Sequence, residues 1–179
     1  MRYFPLLCIL FSLASTAVQA QDSVKSSCVV IFSIGQNMSP SESQVNQMWN
    51  QLNNSFGKFV SARFQDAGKR VIDMPHPVEA TDTRVNTDRL LKVAQQENCS
   101  LIVSTSMYAD QQTQQFISSL RVNPIAATRS ESPAGVNYTV GKETFRKEQA
   151  DPLSKETLDR LVPSEIAKSL VDAYLSISQ

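Results

Sequence analysis

The chain has little of what most enzyme sites are built from. It contains one histidine, His76, one tryptophan, and only five glycines among 179 residues. A Ser-His-Asp or Cys-His relay would have to use His76, and no Gly-x-Ser-x-Gly elbow accompanies it. The three cysteines show no C-x-x-C spacing, which argues against a redox pair. One histidine and well-separated cysteines do not assemble a usual zinc set, and the acidic residues follow no calcium-loop pattern. "GKET", Gly141 to Thr144, echoes the end of a phosphate loop without the preceding glycine or the strand-to-helix context, so it reads as a turn. An excess of either charge is missing too: 17 basic residues face 17 acidic ones. A balanced chain has no long-range field to gather nucleic acid or anionic lipid. No enzyme, cofactor, metal site or nucleic-acid partner is therefore expected.

What is present begins at the N-terminus. "MRYFPLLCILFSLASTAVQAQ" has one cation at Arg2, an apolar stretch from Phe4 to Leu13, and small residues around Val18-Gln19-Ala20. This is the layout of a secretory signal, with cleavage expected between Ala20 and Gln21. The apolar stretch is too short to span a bilayer comfortably. Cys8 lies inside it without the small residues that precede a lipidated cysteine, so a periplasmic or secreted protein is expected, with no membrane insertion after signal removal. The sequence alone leaves a bacterial periplasm and a eukaryotic secretory route open. The Asn-x-Ser/Thr triplets at Asn37, Asn53, Asn98 and Asn137 read as mostly accidental, and the periplasm is preferred. Residues 21–27 form a polar leader, and 28–179 are assigned to one α/β domain.

Hydrophobic periodicity orders that domain as β-α-β-α-β-β-β-α. "CVVIFSIG" is a buried-strand signal closed by glycine. "SPSE" offers Ser39 as an N-cap, Pro40 at the first helical position and Glu42 to complete a capping box. Val45, Met48, Trp49, Leu52, Phe56, Phe59, Val60 and Phe64 then recur at helical spacing, one apolar stripe expected to face the core, with Gly68 ending the helix. "KRVIDMP" reads as a second strand. A helix from Thr83 or Thr87 to Glu97 and a strand from Ser100 to Met107 follow. "QFISSLRVNPIA" is a fourth strand. "GVNYTVGKETFRKE" is a fifth, or a hairpin turning at Gly141-Lys142. The last segment is helical, with Pro163 expected to kink or divide it. Right-handed crossovers make the first three strands parallel, and the later ones extend the sheet antiparallel.

Cys28 opens the first strand and Cys99 immediately precedes the third. If those strands are parallel neighbours, both residues lie at one end of the sheet, close enough for a disulfide in an oxidising compartment. Two buried thiols are the alternative. At the opposite end, beyond the C-terminal ends of the parallel strands, Gln36, Asn37, His76 and Tyr108 are candidate ligand-edge residues, since open α/β sheets bind ligands there.

The element order resembles the small α/β domain shared by the TolB N-terminal domain, CsgG-type curli-secretion proteins and LpoB-type activators of penicillin-binding proteins. The residues that carry this are the apolar first strand, the aromatic-bearing long helix, "AQQENCSLIVSTSMY" and "QFISSLRVNPIA". Asn98-Cys99-Ser100 stands where that family often has Gly-Ala-Asp. The resemblance implies a non-enzymatic envelope module that binds another protein. A small-molecule or glycan-binding protein is the alternative.

Overall fold

Two short β-branched runs and two amphipathic segments alternate before any antiparallel strand appears, and the chain folds accordingly. A computed structural model describes residues 28–35, 41–129 and 136–178. In chain order the elements are β1 (Cys28–Ser33), α1 (Ser43–Asp66), β2 (Arg70–Pro75), α2 (Thr83–Gln96), β3 (Leu101–Asp110), β4 (Gln115–Arg129), β5 (Val136–Val140), β6 (Phe145–Pro152), α3 (Lys155–Arg160) and α4 (Pro163–Leu175). The mixed sheet runs β2-β1-β3-β4, with β5 and β6 both paired to β4. β2, β1 and β3 are parallel; the β3–β4, β4–β5 and β4–β6 ladders are antiparallel. This is the expected α/β class and strand arrangement.

Alternation assigns the sheet two faces. On one, Val29, Ile31, Val103, Met107, Phe116, Leu120 and Val122 meet Phe56, Val60 and Phe64 of α1 and Ile166, Leu170 and Val171 of α4. On the other, α2 lays Leu90 and Ala94 over Val30 and Met74, beside Cys28 and Cys99. Those cysteines form a disulfide that joins residues 71 apart, with α-carbons 4.3 Å apart. Ser100 N–H donates to the Cys28 carbonyl at 3.1 Å, so the bond sits at the N-terminal end of the β1–β3 pair, as the parallel arrangement requires.

Both long helices end alike. Gly68 takes φ +76° after α1, and Lys69 and Gly68 N–H groups donate back to the Phe64 and Gln65 carbonyls. Asn98 takes φ +53° after α2, with Cys99 and Asn98 donating to Ala94 and Gln95. These are Schellman closures, which need a residue that tolerates the left-handed region.

Three local expectations are corrected. α1 starts at Ser43, with Glu42 in the cap position and no side-chain cap bond, so Glu42 cannot complete a capping box; Ser39 and Pro40 lie outside the described residues. The stretch around Gly141 is no hairpin. β5 and β6 lie in succession along one edge of β4, and four residues, 141–144, bulge opposite Asn123 and Pro124. Pro124 has no N–H to offer that edge, and its carbonyl still accepts from Gly141 at 2.8 Å, so the ladder is interrupted where a donor is missing. Finally, the α1 stripe is not wholly core. Phe56, Val60 and Phe64 are buried, but Val45, Met48 and Phe59 are exposed, and the buried line includes Asn46, Asn53, Gly57 and Ser61. Pro163 does divide the last helical segment, at the first position of α4.

The polar residues beneath α1 explain that shift. Asn53 acts as a substitute strand: its Nδ2 donates to the Met107 carbonyl at 3.0 Å, and Met107 N–H donates to its Oδ1 at 2.7 Å. Gly57 lets the helix approach β1 closely, because a Cβ there would lie 1.9 Å from Ser33 Oγ. Ser33 Oγ and Thr105 Oγ1 hydrogen-bond at 2.9 Å beneath it. With small and amide side chains turned inward, part of the apolar stripe is rotated outward.

Candidate functional site

Two surface features stand out. The first lies on the face of the sheet that carries α2. That helix packs over β1 and reaches β5, and across the stretch of β3 and β4 from Ser104 to Arg121 a groove remains. In register there, Ile102 faces Asn123, Ser104 faces Arg121, and Ser106 faces Ser119. These side chains floor a groove of about 580 Å3, bounded by Phe32 and Ile34 on one side, Thr83 at the start of α2, and Glu143 in the 141–144 bulge. A smaller hollow of about 190 Å3 shares Phe32, Ile34, Thr83, Ser104 and Asn123 with it, and adds Asn86, Leu90 and Ile102.

The polar groups of this groove are mostly neutral. Asn86 Nδ2 donates to the Ala80 carbonyl at 2.7 Å, and Asn123 Nδ2 to the Gly141 carbonyl at 3.0 Å. Each amide nitrogen uses one of its two hydrogens there, which fixes the amide orientation and leaves the oxygens as acceptors. The Ser104 and Ser106 hydroxyls have no hydrogen-bond partner among the described residues, although Ser106 is only 6% exposed. The groove's cation, Arg121, lies between two carboxylates, 4.0 Å from Glu143 and 3.5 Å from Glu148. Glu148 also takes Arg146 at 2.7 Å. Burial alone would raise the Glu148 carboxyl, but hydrogen bonds and charge from Arg146 and Arg121 hold it below its ordinary value, so it is ionised at neutral pH.

The second feature is the outer shoulder of α1. Val45, Met48, Leu52 and Phe59 follow one another at three, four and seven residues, which places them along one side of the helix. Met48 is 68% exposed and Phe59 42%, with Leu52 half-buried between them. Trp49, one position round, stacks on Phe116 with ring centroids 6.1 Å apart. Further on, Arg63 bonds Asp172 of α4 at 2.6 Å, and Lys168 bonds the same carboxylate at 2.8 Å. Both cations hold Asp172 below its ordinary value, Lys168 first.

The residues anticipated at the C-terminal edge are placed as follows. Gln36 and Asn37 lie outside the described residues, as do the cleavage positions Ala20 and Gln21. His76 is buried at 2% exposure, edge-on to Phe32 with ring centroids 4.4 Å apart, and its Nδ1 is 3.2 Å from the Met74 carbonyl. Tyr108 is half-buried on β3, in register with Ile117. A hollow of about 190 Å3 at that end is lined by Ser33, Asn54, Lys58, Asp73, Met74 and Pro75, and by neither His76 nor Tyr108. Cys28 and Cys99 are the expected residues that the structure does bring together. Among the described residues no three His, Cys, Asp or Glu side chains are grouped to hold a metal ion, and no helix is long and apolar enough to cross a membrane.

Sequence reasoning passed over Ser104, Ser106, Ser119, Arg121 and Asn123. In "SLRVN" polar and apolar residues alternate, the pattern of a strand with one uncovered face, while "IVSTSMY" breaks its apolar run with three successive polar residues.

No family model matches the chain, and no curated protein matches it. Among solved structures it is similar to a PelC dodecamer from Paraburkholderia phytofirmans, at 13% identity over 84% of this chain and 85% of that one, with a TM-score of 0.39. It is similar to lipoprotein GNA1162 from Neisseria meningitidis, at 14% identity over 83% and 94%, TM-score 0.34. It is also similar to the LpoB C-terminal domain from Salmonella enterica, at 11% identity over 75% and 88%, TM-score 0.27.

Proposed function

We propose that this chain is a non-enzymatic protein-binding or assembly accessory module of the bacterial cell envelope, working in the periplasm after signal removal. The observation that carries the reading is the apolar shoulder of α1. Burying Met48 against another protein would recover up to about 1.5–3 kcal/mol, and Phe59, already more than half covered, a smaller amount. A monomer gains nothing by leaving them in water, whereas a partner's groove would take such a helix edge. The export-type N-terminal sequence and the Cys28–Cys99 bond support an oxidising, extracytoplasmic setting.

A photo-crosslinking amino acid at position 48 or 59, introduced in living cells, tests this. A defined envelope protein should be captured from both positions and not from Lys92 on the exposed side of α2. Met48→Asp with Phe59→Asp should abolish capture while the protein stays folded and exported. Capture of only a second copy of the chain, or equal capture from position 92, would overturn the reading.

A further inference from the structure

We propose that the open groove over β3 and β4 is a binding site for a short neutral saccharide. This inference stands apart from the protein-binding reading, since the groove and the α1 shoulder are on opposite faces of the sheet.

The groove's chemistry selects the ligand class. Ser104 and Ser106 present hydroxyls that can each donate and accept, and Asn86 and Asn123 present amide oxygens that only accept. A ring bearing several hydroxyls satisfies such a mixture, because every sugar hydroxyl both donates and accepts. Ser106 is the most telling member. Its residue is 6% exposed, yet the hydroxyl itself is not sealed from solvent: it opens into the cavity, where a ligand hydroxyl can take the place of water. Phe32, half-buried at the side of the groove, offers an aromatic surface against which the C–H face of a pyranose can pack.

Charge argues against an anionic ligand. Arg121 is shared between Glu143 and Glu148, so an incoming phosphate or carboxylate would meet two carboxylates with that guanidinium. A neutral ligand pays no such repulsion. The volume, about 580 Å3, lies in the range of small-molecule sites and has room for two sugar rings.

The test is a titration of the full mature chain, disulfide formed, followed by amide NMR. The probes are maltose, cellobiose and N,N′-diacetylchitobiose at millimolar concentration, with glucuronate and inorganic phosphate as anionic comparisons. At least one neutral disaccharide should shift the amides of Phe32, Ser104, Ser106 and Asn123. Ser106→Ala should weaken that binding by about 3- to 10-fold, the worth of one hydrogen bond, while leaving the denaturation midpoint equal or higher. Ser104→Ala should weaken it similarly. Absence of shifts with all three disaccharides, shifts confined to other surfaces, stronger binding of the anions, or full affinity in both alanine variants would each overturn the proposal. Crosslinking from α1 would be unaffected by that result, so the two readings fail separately.

Discussion

Replacing Asn53 by alanine should be among the most damaging single changes in this chain. β1 pairs with β3 only as far as Ser33 and Thr105, and β3 then runs on to Asp110 without that neighbour. Met107, fully buried in this overhang, would have an unpaired N–H and C=O if the Asn53 amide did not take both. Alanine leaves two buried backbone groups unsatisfied, each costing about 1–3 kcal/mol, so the total loss should be roughly 2–6 kcal/mol. For a domain of this size that corresponds to a fall in Tm of about 4–24 °C. The assay is urea denaturation of the oxidised protein, where the midpoint should fall at unchanged slope. Asn53→Asp should be no better: it keeps the acceptor for Met107 N–H but removes the donor to its carbonyl and buries a charge. A loss below about 0.5 kcal/mol for Asn53→Ala would refute the substitute-strand account and require another partner for Met107.

Three further outcomes follow from the same contacts. Reducing the Cys28–Cys99 bond, or replacing both residues by serine, opens a closed loop of 71 residues; the denaturation midpoint with and without reductant should reveal a loss of roughly 4 kcal/mol. Gly57→Ala drives a methyl into Ser33 Oγ and should cost about 1–3 kcal/mol by the same assay, and adding Ser33→Ala should restore part of it. The Asp172 carboxyl is held low in the folded state by Lys168 and Arg63, so its contribution is present above the ordinary aspartate value and lost as pH falls through the lowered one. Asp172→Asn should therefore be less stable than the parent at neutral pH, by at most about 1 kcal/mol for so exposed a pair, with the gap closing in acid.

The elements whose pattern is a plain consequence of burial were readable from the sequence. β1 is a nearly unbroken apolar run because that parallel strand is covered on both sides, and Gly68 marks the end of α1 through its backbone freedom. Asn98 does the work of a glycine at the second helix end. What could not be read was which way α1 faces. Its apolar residues span too wide an arc to choose, and the choice is made by Asn53 and Gly57, whose roles depend on how far β3 outruns β1. The groove was hidden for a related reason. Serines at alternate positions of β3 signal an uncovered face only when it is known that α2 stops short of it. His76, the most conspicuous residue chemically, is buried against Phe32, a position that no local pattern announces.

β3 connects the two surface features. Its Thr105 and Met107 side chains turn toward α1, and Ser104 and Ser106 turn toward the groove. The residues past Thr105 have β4 on one side and, on the other, the amide of Asn53 in place of a strand. The floor of the groove at Ser106 is thus held in shape partly by the helix whose far shoulder is exposed. A partner seated on Met48 and Phe59 would bear on the same rigid element that supplies Asn53, one turn from Phe56 in the core. Nothing in this arrangement asks the helix to move. An α1 displaced from the sheet would strand the Met107 backbone groups, at the cost worked out for Asn53→Ala. The geometry therefore favours a partner that docks on α1 as it stands, with the groove open beneath, over one that binds by pulling the helix away.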